Sequence, residues 1–99
     1  MNINMKRNDT ELTIEIEGRL DTLSSPDLEE KLENVLDGVE KLIIDLSALE
    51  YISSAGLRVF VGASQEIEDQ DGEMIIRNLT PPVKAVFEVT GFIDGFKIE

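Results

Sequence analysis

The sequence predicts an α/β fold, a mixed β-sheet of four to five strands flanked by about three helices. The chain begins with two stretches in which apolar and polar residues alternate, which is the pattern of half-buried strands. After them, segments with helical spacing of apolar residues alternate with short apolar runs, and strands joined through a helix lie parallel. We therefore expect an N-terminal antiparallel hairpin followed by parallel strands, in a single domain over residues 1–99.

The first two strands and the first helix follow from local patterns. Residues 2–6 and 12–17 alternate, with Asn8-Asp9 at the turn between them. A helix is predicted from Ser24 to Gly38, because Ser24 or Ser25 can cap it and glycine supplies a left-handed end. Its apolar stripe consists of Leu28, Leu32, Val35 and Leu36.

The rest of the chain alternates buried strands with helices. Residues 41–47 form a short apolar run, and a helix follows through residues 57–67. The residues expected on its apolar face are Leu57, Phe60, Val61 and Ile67. A second run lies at residues 73–78, and a third helix runs from Thr80 to Gly91, before a possible short strand at residues 95–99. The inward residues expected in the third helix are Val83, Val86, Phe87 and Thr90.

Composition excludes several classes of partner and chemistry. The chain carries 21 acidic and 9 basic side chains, a formal net charge of −12, and neither histidine nor cysteine. This charge repels phosphate backbones and anionic lipids, so no nucleic acid and no membrane is expected as a partner. Without cysteine there are no disulfides and no thiol catalysis. Residues 1–7 lack the apolar core of a signal peptide, so a cytoplasmic location is expected.

Ser53 and Ser54 lie between a buried strand and a helix, in the stretch YISSAGL at residues 51–57. A serine nucleophile needs a base, and the chain has no histidine and no lysine near this stretch. There is no glycine-rich phosphate motif, and the carboxylates Asp69 and Asp71 are explained by solvation of a helix end. No catalytic residue, no metal site and no cofactor is therefore expected.

The position of Ser54 leaves two roles open. Unpaired N–H groups and the positive end of the macrodipole meet at a helix start, where a phosphate on Ser54 would be stabilised. It would also give a neutral surface close to two negative charges. Alternatively, the serine only caps the helix.

Three stretches of the sequence resemble the STAS domains, and among them the bacterial anti-sigma factor antagonists. They are GRLDTLSSPDLEEKL at residues 18–32, LIIDLSALEYISSAGLRVF at residues 42–60 and NLTPPVKAVFEVTGF at residues 78–92. The resemblance covers nearly the whole chain and implies the STAS fold. It also implies that Ser54, two positions before Gly56, is phosphorylated.

The resemblance further implies the partners of the chain. In that family the unphosphorylated antagonist binds an anti-sigma factor with serine kinase activity, which then releases its sigma factor. Phosphorylation ends this binding, and a serine phosphatase restores it. On this interpretation the chain is a ligand and a substrate, and not an enzyme.

A partner-binding surface around the serine is also expected, formed by Asp21, Ser53, Ser54, Ala55, Gly56 and Arg58. Asp21 either shapes the kinase-facing surface or fixes a turn. Gly56 permits close packing, and Arg58 either meets a partner or lies on a solvated helix face. Asp45, on the buried strand, is expected to satisfy local backbone donors.

Two residues depart from the commonest family pattern, Asp-Ser-Ser/Thr-Gly. Ser53 stands in place of the aspartate, and Ala55 in place of the second hydroxyl residue. They motivate an alternative, a STAS scaffold or small subunit of a transport or signalling complex without phospho-switching, in which Ser54 only caps. Many relatives continue beyond the position of Glu99 into a further helix, and contacts made through that helix are not expected here.

Overall fold

The computed structural model describes residues 1–99, which form six β-strands, three α-helices and one short 3-10 helix. The strands are β1 (Asn2–Asn8), β2 (Glu11–Leu20), β3 (Lys41–Asp45), β4 (Leu49–Ile52), β5 (Glu73–Arg77) and β6 (Lys97–Ile98). The helices are α1 (Ser25–Leu32), α2 (Ser54–Asp69), α3 (Pro81–Thr90) and the 3-10 helix at Phe92–Asp94. The predicted α/β class is confirmed.

The strands form one mixed sheet in the order β1-β2-β3-β5-β6, and β4 pairs with the far end of β2. β1 and β2 are antiparallel, and all other pairs are parallel, as the sequence predicts. The long strand β2 has two partners, β3 along Glu11–Glu15 and β4 along Gly18–Leu20, where the register shifts between Gly18 and Arg19. This shift lets one strand continue past the main sheet and reach the start of α2.

β4 was not among the predicted strands, so the sheet has one strand more than the upper end of the expected range. Only Leu49 and Ile52 of this strand are buried, whereas Glu50 and Tyr51 between them are exposed. Four residues with two apolar ends give no alternation that sequence reasoning could recognise. Its pairing with β2 fixes this segment as a strand.

The first helix is shorter than predicted. It ends at Leu32, and Asn34 then adopts a positive φ of 66° that breaks the helix. Leu36 is buried nonetheless, because the turn after the helix carries it into the core. Gly38 has the expected left-handed conformation, with φ of 76°, but it follows this turn and not a helix.

Two other residues are less buried than their predicted positions require. Thr90, expected to face inward, is exposed, and its hydroxyl donates a hydrogen bond to the Val86 carbonyl oxygen at 2.7 Å. Val61 is half-buried, and Val59 takes its place in the core. Val61 lies at the edge of the buried face that Phe60, Ala63 and Ile67 form, and Thr90 is the last residue of α3.

One cluster of 22 buried residues forms the core between the sheet and the helices. α2 packs against β5 and α1, and α3 packs against β4. Leu20 and Ile52, the last residues of β2 and β4, are wholly buried. These two side chains anchor the strand ends from which the candidate site emerges. None of the helices has the length and apolar character that a membrane span requires.

Candidate functional site

The site forms where two parallel strands end side by side. Leu20 of β2 lies opposite Ile52 of β4, and the Ser53 N–H donates a hydrogen bond to the Leu20 carbonyl oxygen at 2.9 Å. The next residues therefore leave the sheet at the same edge. As a result, the loop that begins at Asp21 lies beside the start of α2.

The two serines at this edge have different tasks. Ser53 is the N-cap of α2, because its hydroxyl accepts a hydrogen bond of 3.4 Å from the Gly56 N–H and its carbonyl accepts one of 3.1 Å from the Leu57 N–H. Ser54 is the first residue of the helix, and it is exposed. Its hydroxyl makes no hydrogen bond, so the expectation that Ser54 caps the helix is wrong, whereas the scaffold alternative does not depend on that cap.

The start of α2 is locally positive on a strongly acidic chain. The first N–H groups of a helix have no partner within it, and the macrodipole is positive there. The first turn of α2 contains no acidic residue to offset this charge. Arg58, four residues after Ser54 and hence on the same face, is exposed and forms no ion pair. Together these groups favour an anion at Ser54.

Asp21 fixes the loop between β2 and α1. One of its carboxylate oxygens accepts hydrogen bonds from the N–H groups of Leu23 and Ser24, each at 3.0 Å. The Ser24 hydroxyl in turn accepts a 2.9 Å hydrogen bond from the Asp21 N–H. These hydrogen bonds hold the pKa of Asp21 below its ordinary value, and the bond from the Ser24 N–H has the largest effect. The turn-fixing interpretation of Asp21 is thus confirmed, and its contact with a partner stays a prediction.

The prediction that Ser24 or Ser25 caps α1 through its side chain is wrong, because both hydroxyls form hydrogen bonds to the strand end and loop before the helix. Ser24 holds the N-cap position, but its side chain caps no helix N–H group. It lies 2.9 Å from the Arg19 carbonyl oxygen, to which it donates. The Ser25 hydroxyl donates to the Asp21 carbonyl oxygen at 2.5 Å. The two serines therefore fasten the loop to its own strand end.

Gly56 allows α2 to approach the strand ends closely, as the sequence predicts. A Cβ atom at this position would lie 2.8 Å from Cγ of Leu20 and 3.0 Å from Cγ1 of Ile52. Both distances are well below an ordinary carbon–carbon contact of about 3.5–4.0 Å. The glycine therefore sets the position of the helix start, and with it the position of Ser54.

All six predicted site residues lie at this edge of the sheet. An open depression lies here between α1 with its preceding loop and the start of α2. The loop and α1 contribute Thr22, Ser25, Pro26 and Glu29 to its lining, and α2 contributes Ala55, Arg58 and Val59. Thr22 lines this depression but is not among the predicted site residues. The signal available for it was its place between the strand end and the two loop serines.

Asp45 has a structural role, as predicted. Its carboxylate accepts hydrogen bonds from the Ser47 N–H at 2.9 Å and from the Asn78 side-chain amide at 3.2 Å. Partial burial raises the pKa of Asp45, but the hydrogen bonds from Ser47 and Asn78 outweigh it and hold this pKa below its ordinary value. Asp45 thus ties the loop after β3 to the residue after β5.

Known proteins resemble the chain over its whole length. The family model for the STAS domain matches residues 2–99. The anti-sigma factor antagonist BtrV of Bordetella bronchiseptica is 33% identical over 99 residues, covering 99% of this chain and 85% of that protein. The anti-sigma-B factor antagonist of Bacillus subtilis is 33% identical over 94 residues, covering 95% of this chain and 86% of that protein.

The solved structures of the Bacillus anti-sigma factor antagonist SpoIIAA resemble this fold. Its unphosphorylated form has a TM-score of 0.77 at 20% identity, covering 99% of this chain and 87% of that one. Its phosphorylated form has a TM-score of 0.76 at 20% identity, covering 99% of this chain and 91% of that one. The mixed sheet flanked by helices is thus a fold that both forms of that protein share.

Proposed function

The chain belongs to the STAS domain family, and on this premise we propose that it is an anti-sigma factor antagonist controlled by phosphorylation of Ser54. The unphosphorylated chain, a single STAS domain over residues 1–99, binds an anti-sigma factor with serine kinase activity, which then releases its sigma factor. Phosphate on Ser54 ends this binding, and a serine phosphatase restores it. The chain is a ligand and a substrate in the cytoplasm, and catalyses nothing itself.

The observation that carries this proposal is the free hydroxyl of Ser54. The side chain is exposed, and no hydrogen bond has to break before a kinase can reach the oxygen. The capping that a serine at this place would normally perform is done by Ser53. Phosphorylation of Ser54 would therefore remove no hydrogen bond that holds the fold.

The charge around Ser54 supports the direction of the switch. A phosphate adds close to two negative charges, which the helix start and Arg58 stabilise on this chain. A partner surface that fits a neutral hydroxyl would instead have to cover a phosphate, and burying such a charge without new partners is costly. Phosphorylation thus leaves the chain folded and lowers its affinity for the kinase.

The replacement of the usual aspartate by Ser53 is compatible with this function. Aspartate and serine are among the preferred N-cap residues, because an oxygen of either side chain accepts a hydrogen bond from a helix N–H. Ser53 makes this bond to the Gly56 N–H. The substitution therefore keeps the cap beside Ser54 and removes one negative charge.

Phosphorylation mapping tests the proposal, with Ser53 as the matched control. The chain is incubated with its cognate anti-sigma factor kinase and ATP, and the modified residue is located by mass spectrometry. Phosphate is expected on Ser54, absent in Ser54→Ala and retained in Ser53→Ala. Phosphate on another residue would refute the assignment. Tight binding without any phosphate would favour the scaffold alternative.

Binding measurements test the direction of the switch. Ser54→Asp places a negative charge in the interface, whereas Ser54→Asn has nearly the same shape without the charge. We expect the aspartate variant to bind the kinase at least about tenfold more weakly than the asparagine variant, which is about 1.4 kcal/mol. Equal affinity of the two variants would contradict a charge-based switch.

A further inference from the structure

We propose that Leu23 is an apolar anchor for the anti-sigma factor, presented at the same edge of the sheet as Ser54 by the loop that Asp21 fixes. This inference rests on the proposed function and extends it to a residue that determines partner affinity. The expected complement is an apolar pocket on the kinase. The proposal follows from the exposure of Leu23, the order of its loop and the position of that loop at the same edge of the sheet as the start of α2.

Leu23 is one of few large apolar side chains that the fold leaves in solvent. Its side chain is 88% exposed, and among the other exposed large apolar residues only Val89, also 88%, equals it. Met1 lies at the chain end, and the Arg19 guanidinium covers the Tyr51 ring at 4.5 Å from its centroid. Single exposed apolar residues are common on protein surfaces, so exposure alone does not identify an anchor.

The loop around Leu23 is ordered by hydrogen bonds that do not involve its side chain. The Leu23 N–H donates to the Asp21 carboxylate, and the hydroxyls of Ser24 and Ser25 fasten the loop to Arg19 and Asp21. The fold thus uses only the backbone of Leu23, and a polar residue would serve the turn equally well. An apolar side chain on an ordered loop can bind without the entropy cost of ordering the loop first.

The loop that carries Leu23 lies at the edge of the sheet from which a kinase would reach Ser54. Its neighbour Thr22 and the Ser54 neighbour Ala55 line the same depression. Three residues of chain span at most about 11 Å, so Leu23 lies within that distance of Leu20, whose carbonyl binds the Ser53 N–H. A specific interface buries about 800 Å² on each partner, which is wide enough to include this loop.

Val89 provides the matched control. It lies in the last turn of α3, outside the loop between β2 and α1 and outside α2, and has the same exposed fraction as Leu23. Affinity for the anti-sigma factor kinase is measured by calorimetry for Leu23→Ala and Val89→Ala. Leu23→Ala is expected to bind about tenfold more weakly than the parent, and Val89→Ala within about twofold of it. Leu23→Met, which keeps an apolar side chain of similar volume, is expected to restore most of the affinity.

Steady-state phosphorylation gives a second readout. Because Leu23 contributes binding and does not touch the reacting hydroxyl, Leu23→Ala should raise KM about tenfold and leave kcat unchanged. If the parent binds the kinase and is phosphorylated on Ser54, equal affinities of Leu23→Ala and Val89→Ala would overturn the anchor and leave the proposed function intact. A fall in kcat alone would also overturn it. A parent that neither binds nor accepts phosphate would refute the proposed function, and the anchor with it.

Discussion

A methyl group at Gly56 tests how closely α2 packs on the ends of β2 and β4. In Gly56→Ala the new Cβ atom would lie 2.8 Å from Cγ and 2.9 Å from Cδ2 of Leu20, and 3.0 Å from Cγ1 of Ile52. Both neighbours are wholly buried, so neither side chain can rotate into solvent to make room. The helix start or the strand ends must therefore move by several tenths of an ångström.

The expected cost follows from two opposing effects. Overpacking a buried site by a methyl group costs about 1–3 kcal/mol. Alanine gains at most about 1 kcal/mol over glycine in helix propensity, and less in the first turn, where Gly56 lies. We therefore expect Gly56→Ala to lower the free energy of unfolding by about 1–2 kcal/mol.

The same helix contains the control. A Cβ atom at Gly62 would meet no atom within 4 Å, so Gly62→Ala keeps the propensity gain without a clash. We expect it to raise the free energy of unfolding by about 0.5–1 kcal/mol. Urea denaturation of the parent and both variants, with unchanged m-values, measures the two effects. Shifts of the same sign in the two variants would refute the packing argument, because propensity alone would then explain both.

Two further predictions concern the serines and Asp45. Ser53→Ala should lower the free energy of unfolding by about 0.5–1 kcal/mol through the lost cap, and Ser54→Ala should change it by less than about 0.5 kcal/mol. Urea denaturation compares them, and a larger cost at Ser54 would contradict the assignment of the cap. For Asp45 the folded-state pKa is lowered, so its stabilisation is present above the unfolded-state pKa of about 3.9 and is lost as pH falls through the folded-state value. The stability difference between the parent and Asp45→Asn should therefore shrink as pH falls below about 4, and a constant difference would contradict it.

The sheet was predictable where its strands are long or wholly apolar. β3 and β5 have three successive buried residues each, and such an apolar run can be recognised without knowing which strands lie beside it. β4 lacks such a run, and it is a strand because β2 continues past its register shift to pair with it. This pairing joins residues about thirty positions apart, which a local pattern does not contain.

The turn after α1 is held by a distant contact that the local sequence pattern does not show. The apolar stripe continues through Leu36, yet the chain leaves the helix after Leu32. The Arg7 guanidinium, at the end of β1, donates hydrogen bonds of 3.3 Å to the carbonyl oxygens of Val35 and Asp37. The left-handed conformation of Asn34, with φ of 66°, breaks the helical repeat, and the Arg7 hydrogen bonds hold the turn that follows.

The predicted position of the two serines, between a strand and a helix, is confirmed, but the sequence did not show which of them caps the helix. Ser53 and Ser54 are equally good caps by residue type, and the hydrogen bond from the Ser53 N–H to Leu20 decides between them. That bond makes Ser53 the last residue held by the sheet, so the helix begins at Ser54. The proposed anchor Leu23 could not be predicted, because one apolar residue in a loop has no periodicity to mark it.

In the proposed switch the helix cap and the phosphate acceptor are different residues, Ser53 and Ser54. A phosphate on a capping serine would disturb the helix start, and part of the free energy of the switch would appear as altered stability of the chain. Here Ser53 keeps the helix start satisfied, while Ser54 is free to take a charge that the macrodipole and Arg58 favour. An aspartate at position 53 would set a second negative charge beside that phosphate, and serine does not. The phosphorylated chain should therefore be at least as stable as the unphosphorylated one, so the loss of affinity arises in the complex with the kinase and not from unfolding of the chain.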